Sequence, residues 1–417
     1  MPGIHPAPCS LLYSVCRDPV FAAISFAISS SFVLPPLSIV PLSIVSTLYV
    51  AVGQGDGLPG SVAGKLCSNF KQMEKQAENA AAGDYRVQQA LYFKMYSRLE
   101  VQEWLVKDAA RNAAYRQAIG WNRAAFRGKT VLDVGCGLGM LSLLAAEAGA
   151  RRVIAVDAAS IVEYTRHIVV DNSCADVITV LRGRVEEIEL PEGIEKVDII
   201  LCDWMGYCLF SGNMLESLIF ARDKWLAPGG LIYPDAAHLY LGAITGQAGE
   251  ALEQWNDLYD INMGAIRRRC EATAVLKRLD ARQLMSKVVL VKTLDLYTAP
   301  RHSCLTRTHY ELKVTHSGHV HALFACFDVG MGQYPRRVWL STSPHAPWTH
   351  WNQTVFHLRA PLTVEPEQLI RGVFSLKPSP KSIYGLEFDI SFEHKGREQR
   401  AMGRQDYSLD YFLPQGL

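Results

Sequence analysis

From Thr130 onward the sequence alternates short apolar strands with amphipathic helices, and this pattern strongly restricts the possible fold. The segment TVLDVGCGLGMLSLLAAEAGA contains a strand, a glycine turn and a helix that ends at Gly149. The next strand, RRVIAVD, ends at Asp157, and the alternation continues through a predicted strand LIYPDAAHLYLGAI over residues 231–244. Such an alternation predicts a parallel, doubly wound sheet with helices on both faces.

Glycines and acids lie where the predicted strands end, which is where sheets of this kind bind ligands. These positions are Gly135, Gly137, Gly139, Asp157, Glu186 and Asp203. Glycines let the backbone approach a ligand, and an acid about 20 residues later can accept both ribose hydroxyls of an adenosine. The Gly-x-Gly-x-Gly spacing and the acidic Asp133 favour S-adenosylmethionine over NAD and argue against a nicotinamide-dependent oxidoreductase. A simpler alternative is a tight turn in which Asp157 caps the next helix.

Beyond Leu241 the pattern changes to period two, which is typical of strands with one buried face. The segment GLEFDISFEHKG is the clearest example, because Leu386, Phe388 and Ile390 alternate with polar residues. Several similar segments predict an antiparallel barrel or sandwich. Residues 250–269 read as a helix that precedes these strands. The histidines in THSGHVH are interpreted as surface residues, and no metal site is expected.

The charge balance and the cysteines restrict the partners and the compartment. Lys plus Arg (42) nearly equals Asp plus Glu (41), so the net charge of +1 gives no electrostatic case for direct nucleic-acid binding. The ten cysteines are scattered and include no Cys-x-x-Cys pair. This usage is typical of a reducing compartment, and we expect a cytoplasmic location.

The N-terminal residues 1–70 differ in kind from the remainder of the chain. No charged residue occurs between Asp18 and Asp56, but Pro35, Pro36 and Pro41 interrupt this apolar stretch. A membrane anchor is not favoured, and secretion through a signal peptide fits poorly with unpatterned cysteines. We interpret these residues as a poorly ordered extension, or as sequence upstream of a later start such as Met73.

Several motifs, in order and spacing, resemble the protein arginine methyltransferases from about Asp84 to the C-terminus. They are YFKMYSRLEVQEWLVKDAAR, VLDVGCGLG, GRVEEIEL, WMGYCLF, ARDKWLAPGGLIYP and the Thr-His-Trp of SPHAPWTHWNQTVF. The resemblance implies an α/β fold, in which a Rossmann-like class I S-adenosylmethionine-dependent methyltransferase domain precedes a β-barrel domain with a helical dimerisation arm. The implied divisions are an extension (1–70), N-terminal helices (71–127), a cofactor domain (128–240) and a barrel domain (241–417), with the arm at about 249–268.

The resemblance also implies a set of residues that bind S-adenosyl-L-methionine. This set is Gln102, Arg111, Gly135, Gly137, Gly139, Asp157, Val185 and Glu186. Arg111 is the residue that would meet the cofactor carboxylate. Gln102 stands where the family has a histidine, and Trp104 stands where it usually has an acid, so that its indole could fill space meant for a ligand.

The catalytic positions depart further from the family. The resemblance implies two glutamates, one on each side of a hairpin loop. In this sequence Asp203 and Gly212 stand at those two positions. The third catalytic candidate, His350, lies in the Thr-His-Trp loop. A guanidinium is always a cation, and it must be aimed and held by carboxylates before it can attack a methyl group. Glycine supplies no carboxylate, so the loop has the sequence of a catalytic loop without its charges.

The sequence therefore predicts a catalytically impaired regulatory subunit, similar to the prozyme of kinetoplastid type I arginine methyltransferases. This subunit is expected to bind an active paralogue through the dimerisation arm and to activate that paralogue. Gly-Arg-rich RNA-binding proteins are the expected substrates of such a complex. The alternative is an active arginine methyltransferase that uses Asp203 alone or recruits Glu216, one helical turn beyond Gly212.

Overall fold

The computed structural model describes residues 85–246, 256, 261–332, 336–397 and 399–410. The predicted N-terminal extension and most of the predicted dimerisation arm lie outside these residues. Within the described part of the chain, no helix combines the length and the apolar character that a membrane crossing requires.

The first half of the structure is a five-stranded parallel sheet, as the sequence predicts. Its strands lie in the order β3-β2-β1-β4-β5. They are β1 (Thr130–Val134), β2 (Arg152–Asp157), β3 (Ile178–Arg182), β4 (Val197–Cys202) and β5 (Leu226–Tyr233). The central strand β1 is buried at every position, because both faces of the sheet are covered. This burial explains why the strands read as continuous apolar runs.

Helices precede the sheet and connect its strands. They are α1 (Leu99–Lys107), α2 (Ala109–Trp121), α3 (Arg123–Phe126), α4 (Met140–Glu147), α5 (Val162–Asp171), α6 (Met214–Trp225) and, later in the chain, α7 (Gly264–Glu271). Residues 85–96 are also helical, and we call them the lid helix. Helix α2 starts after Asp108, whose side chain accepts a hydrogen bond from the Arg111 N–H and thereby caps the helix.

The predicted strand over residues 231–244 is wrong as a single element. Strand β5 ends at Tyr233 in the parallel sheet, and β6 (Ala236–Ile244) belongs to an antiparallel sheet. Pro234 separates the two strands because it has no N–H to donate to a ladder. The N–H of Asp235 instead donates to the carbonyl of Gly330, which starts the second half of the structure.

The second half is the predicted antiparallel β-barrel. One sheet has the order β7-β12-β10-β6-β8, with β11 paired to β10, and the other has the order β15-β14-β13-β9. The strands after β6 are β7 (Val275–Lys277), β8 (Val289–Asp295), β9 (Thr306–Lys313), β10 (Gly318–Met331), β11 (Val338–Ser341), β12 (Gln353–Val364), β13 (Leu369–Pro378), β14 (Leu386–Lys395) and β15 (Arg400–Leu409). The core contains the alternating residues Leu386, Phe388 and Ile390 together with Phe356, whose ring contacts that of Phe388.

The predicted helix over residues 250–269 is not continuous. Residues 261–263 are not helical, and α7 begins only at Gly264. The Asn262 side-chain oxygen accepts the N–H of Gly264, and this local bond competes with helix formation before that residue.

Two leucines at opposite ends of β9 give a matched test of the barrel core. Leu312 is fully buried, whereas Leu305 is 55% exposed. We predict that Leu312→Ala lowers the free energy of unfolding by about 2–5 kcal/mol, because it removes buried apolar contacts and leaves a cavity. Leu305→Ala should change it by less than about 0.5 kcal/mol. Urea denaturation followed by circular dichroism measures both, and equal effects of the two substitutions would contradict this assignment of the core.

Candidate active site

A cavity of about 1040 Å³ opens beyond the carboxyl ends of β1, β2 and β4. It is lined by the glycine loop, the lid helix, α1 and the start of α6, together with residues from the barrel. The residues predicted to form the site, Gly139 excepted, line this one cavity; they are Gln102, Arg111, Gly135, Gly137, Asp157, Val185, Glu186, Asp203, Gly212 and His350. The fold therefore brings together residues that are up to 248 positions apart in the sequence, from Gln102 to His350.

The glycine loop makes a close contact with α1. Gly137 has a φ of +53°, and a Cβ atom on it would lie 2.8 Å from the side-chain oxygen of Gln102. Gln102 is buried, and its Nε2 donates to the carbonyl of Tyr96 at 2.7 Å. Gln102 thus joins the end of the lid helix to the loop, and glycine is needed where the two meet.

Asp157 binds the glycine loop and does not cap helix α5, which begins later, at Val162. One carboxylate oxygen accepts the N–H of Gly137 at 2.9 Å, and the other accepts the N–H of Ala159 at 2.8 Å. Burial raises the pKa of Asp157 above its usual range, against the effect of these hydrogen bonds. Each carboxylate oxygen can accept a further hydrogen bond, so the side chain can still hold hydroxyl groups of a ligand.

Val185 and Glu186 follow β3 and lie at the same end of the sheet. Val185 is buried. The carboxylate of Glu186 accepts a hydrogen bond from the Ser217 hydroxyl at 2.7 Å and pairs with Arg184 at 3.3 Å. These contacts fix Glu186 against α6 at the wall of the cavity.

Asp203, at the end of β4, is held by two groups from α2. The Arg111 Nε donates to one carboxylate oxygen at 2.6 Å, and the Tyr115 hydroxyl donates to the other at 3.0 Å. Burial alone would lower the pKa of Arg111, but the charge of Asp203 raises it. Burial and the same charge raise the pKa of Tyr115 well above its usual value. The negative charge of Asp203 is therefore neutralised within the chain.

The loop after Asp203 has a tightly determined shape. A Cβ atom on Gly206 would lie 1.7 Å from the carbonyl oxygen of Ser211, so only glycine fits at this position. Cys208, Leu209, Gly212 and Asn213 all have positive φ angles, and that of Gly212 is +84°. Any other side chain at position 212 would strain the backbone in this conformation. Gly212 itself supplies no carboxylate.

Glu216 lines the cavity but is already engaged. It lies in the first turn of α6, and its carboxylate accepts the N–H of His302 at 2.6 Å. Using Glu216 as a replacement acid would require breaking this hydrogen bond.

His350 has a buried partner that the sequence reasoning missed. Its Nδ1 lies 2.8 Å from Oδ2 of Asp108, and its backbone N–H donates to the same oxygen at 2.8 Å. Burial would raise the pKa of Asp108, but the bonds from His350 and from the Arg111 N–H outweigh it and lower the pKa. An aspartate before a helix indicates a helix cap, and this is all that the sequence around Asp108 indicates. No local pattern connects Asp108 to a residue 242 positions away.

Asp133 lies under the glycine loop and is fully buried. One carboxylate oxygen accepts the Ser142 hydroxyl at 2.6 Å, and the other has no hydrogen-bond partner among the described residues. Burial, the dominant effect, raises the pKa of Asp133 to about 7. The folded chain therefore favours the neutral acid at this position.

This buried acid gives a testable pH dependence of stability. An unfolded aspartate has a pKa of about 3.9, so between about pH 4 and about pH 7 the unfolded chain releases a proton that the folded chain keeps. Stability should fall as pH rises through this window and change no further above it. Between about pH 5 and about pH 8, we predict that the free energy of unfolding falls by about 3 kcal/mol more in the unmodified chain than in Asp133→Asn.

Urea denaturation at several pH values measures this difference. The matched control is Asp406→Asn, because Asp406 is exposed on β15. This control should follow the unmodified chain. Parallel pH curves for the unmodified chain and Asp133→Asn would contradict the assignment.

Two family profiles match adjoining parts of the chain. Residues 131–230 match a family described as Methyltransferase domain, and residues 235–398 match one described as Arginine methyltransferase oligomerization subdomain. The change from one profile to the other falls at the same place as the change from the parallel sheet to the barrel.

Similar proteins and solved structures cover about three quarters of the chain. Protein arginine N-methyltransferase 1 of Chlamydomonas reinhardtii is 38% identical over 322 residues, which are 76% of this chain and 92% of that protein. The Caenorhabditis elegans protein of the same name is 37% identical over 73% of this chain and 88% of its own length. A solved structure, "Trypanosoma brucei PRMT1 enzyme-prozyme heterotetrameric complex with AdoHcy", is 33% identical with a TM-score of 0.73 and covers 76% of this chain and 99% of that one. Arabidopsis thaliana protein arginine methyltransferase 10 is 29% identical with a TM-score of 0.69, over 76% of this chain and 100% of that one.

Proposed function

The chain belongs to the protein arginine N-methyltransferase family, and we propose that it is a catalytically impaired regulatory subunit of an active type I member. One observation carries the proposal. The acid at the first catalytic position, Asp203, is neutralised by Arg111 and Tyr115, and the second position, Gly212, supplies no carboxylate. The two catalytic positions therefore offer little negative charge to an incoming guanidinium.

The chemistry explains why these charges matter. S-adenosylmethionine, when bound, supplies a methyl group on a sulfonium, and the nucleophile is a weakly nucleophilic guanidinium nitrogen. The protein must aim that nitrogen and balance its positive charge in a partly desolvated site. Without a second carboxylate the guanidinium enters with its charge uncompensated, which is costly in a cavity of low dielectric constant.

The length of Asp203 adds a second obstacle. Aspartate is one methylene shorter than glutamate, so its carboxylate is withdrawn from the cavity toward β4. A displacement of about 1 Å can lower the rate of a positioned reaction about a hundredfold. The hydrogen bonds from Arg111 and Tyr115 hold Asp203 in this withdrawn position.

The cofactor side of the cavity supports binding of S-adenosylmethionine. Gly135 and Gly137 present a backbone that a ligand can approach, and Asp157 keeps acceptor capacity for ribose hydroxyls. Glu186 lies at the cavity wall, where it would contact the adenine end. Arg111 lines the same cavity, and its guanidinium would hold the cofactor carboxylate in competition with Asp203.

The proposed partner is an active paralogue, joined through the dimerisation arm at about 249–268. Two findings support this part of the proposal. The barrel half matches an oligomerisation subdomain, and the similar Trypanosoma brucei structure is that of an enzyme-prozyme heterotetramer. We propose that Gly-Arg-rich RNA-binding proteins are substrates of the complex in the cytoplasm. The domain divisions at residues 70, 127 and 240 belong to the same proposal.

The alternative is an active arginine methyltransferase. The names of the Chlamydomonas and Caenorhabditis relatives favour it, and Asp203 does line the cavity. Against it, both oxygens of Asp203 and one oxygen of Glu216 accept hydrogen bonds within the chain.

We predict that the purified chain transfers no methyl group from labelled S-adenosylmethionine to a Gly-Arg-rich peptide. When an active paralogue is added, the rate should exceed that of the paralogue alone at the same concentration. The control is the heat-denatured chain, which should leave the rate of the paralogue unchanged. Turnover by the chain alone that is lost in Asp203→Asn would contradict the proposal and support the alternative.

A further inference from the structure

A small aromatic cluster joins the lid helix to the barrel, apart from the main core. Tyr92 of the lid helix and Tyr384, between β13 and β14, are 5% and 7% exposed. Their rings stack with centroids 3.9 Å apart and planes 18° apart. Contact between two buried aromatic side chains stabilises their packing, because each buries a large apolar surface. The lid helix is therefore attached to a segment of the barrel over the cavity.

A second contact lies one helical turn before Tyr92. The side-chain amide of Gln88 donates to the carbonyl of Lys381 at 3.2 Å, and its oxygen accepts the N–H of Ile383 at 3.0 Å. Residues four apart lie on the same face of a helix, so Gln88 and Tyr92 hold the same barrel segment.

The same barrel segment also holds the loop after Asp203. The backbone carbonyl of Tyr384 accepts the N–H of Gly212 at 3.0 Å. The segment is braced by its own hydrogen bonds, from Ser379 N–H to the Gly385 carbonyl and from Gly385 N–H to the Ser382 carbonyl. The ring of Tyr384 and its carbonyl therefore move together.

We propose that Tyr384 is a positioning residue that couples closure of the lid helix to the conformation of residues 207–213. When the lid is closed, the stack on Tyr92 fixes Tyr384, and its carbonyl then fixes Gly212. A ligand that fills the cavity favours the closed lid, and by linkage it also favours the ordered loop. The ligand-dependent part rests on the proposed cofactor site, whereas the coupling itself belongs to the chain without ligand.

The aromatic cluster is separate from the main core, so the lid helix can open without unfolding of the whole chain. Regions with few contacts to the core open at lower free energy than the whole fold. Exchange of backbone amide hydrogens reports such openings segment by segment.

Hydrogen exchange read by mass spectrometry tests the coupling in the full chain. Tyr384→Ala removes the stack, and we expect about tenfold faster exchange in both residues 85–96 and residues 207–213. Tyr384→Phe keeps the stack and the carbonyl and removes only the hydroxyl, which hydrogen-bonds the Gln89 side chain of the lid helix, so it should accelerate exchange in both regions less than Tyr384→Ala does. The control Lys381→Ala alters the same segment but leaves its carbonyl in place, and it should change neither region.

Gln88→Ala is a second variant that weakens the attachment of the lid helix and leaves Tyr384 unchanged. It tests the coupling even if Tyr384→Ala does not fold. If the coupling holds, it accelerates exchange at residues 207–213 as well as in the lid helix. Faster exchange confined to the lid helix, in either variant, would overturn the coupling.

S-adenosylhomocysteine separates this inference from the proposed function. In the unmodified chain it should slow exchange in both regions, and in Tyr384→Ala it should slow exchange mainly in the lid helix. If S-adenosylhomocysteine slows exchange in neither region of the unmodified chain, the cofactor site is refuted. The comparison of the variants with the unmodified chain, all without ligand, would still decide the coupling.

Discussion

The buried ion pair between Arg111 and Asp203 joins helix α2 to the end of strand β4 at the wall of the cavity, and the arrangement of the candidate site depends on it. The side chains of Arg111 and Asp203 are 8% and 12% exposed, and removing either one would leave an uncompensated charge in the interior. Arg111 is in turn held by its backbone N–H, which donates to Asp108, and Asp108 also binds His350. A continuous chain of charged hydrogen bonds thus connects strand β4, helix α2 and the Thr-His-Trp loop that precedes β12.

This chain of contacts has opposite effects on the two sides of the cavity. On the cofactor side it fixes Arg111 of helix α2 at the wall of the cavity. On the substrate side it neutralises Asp203, the acid that under the proposed function would otherwise bind a guanidinium. Under the proposed function, a protein of this family can keep its fold and its cofactor cavity although it lacks the carboxylates that bind a substrate guanidinium. The barrel and its oligomerisation region retain a use in such a protein, because binding a partner does not depend on Asp203.

The sequence predicted the features that local chemistry encodes. Apolar runs that end in glycines and acids predicted the parallel sheet and placed Asp157 at its carboxyl edge, and period two predicted strand β14. Pro234 marks the break between β5 and β6, but the apolar residues at 231–233 and 239–244 indicate strand on both sides of it. The contacts of Asp108 with His350 and of Tyr92 with Tyr384 were not predictable in this way. Each joins residues more than 200 positions apart, and no periodic pattern specifies which distant side chains meet.

The most direct test of catalytic impairment is whether the cavity binds a substrate guanidinium. A Gly-Arg-rich peptide would be titrated into the chain saturated with S-adenosylhomocysteine, and the heat of binding would be measured. We predict a dissociation constant weaker than about 1 mM, because Asp203 is neutralised by Arg111 and Gly212 supplies no charge. Saturable micromolar binding that disappears in Asp203→Asn would contradict a site without free substrate charge.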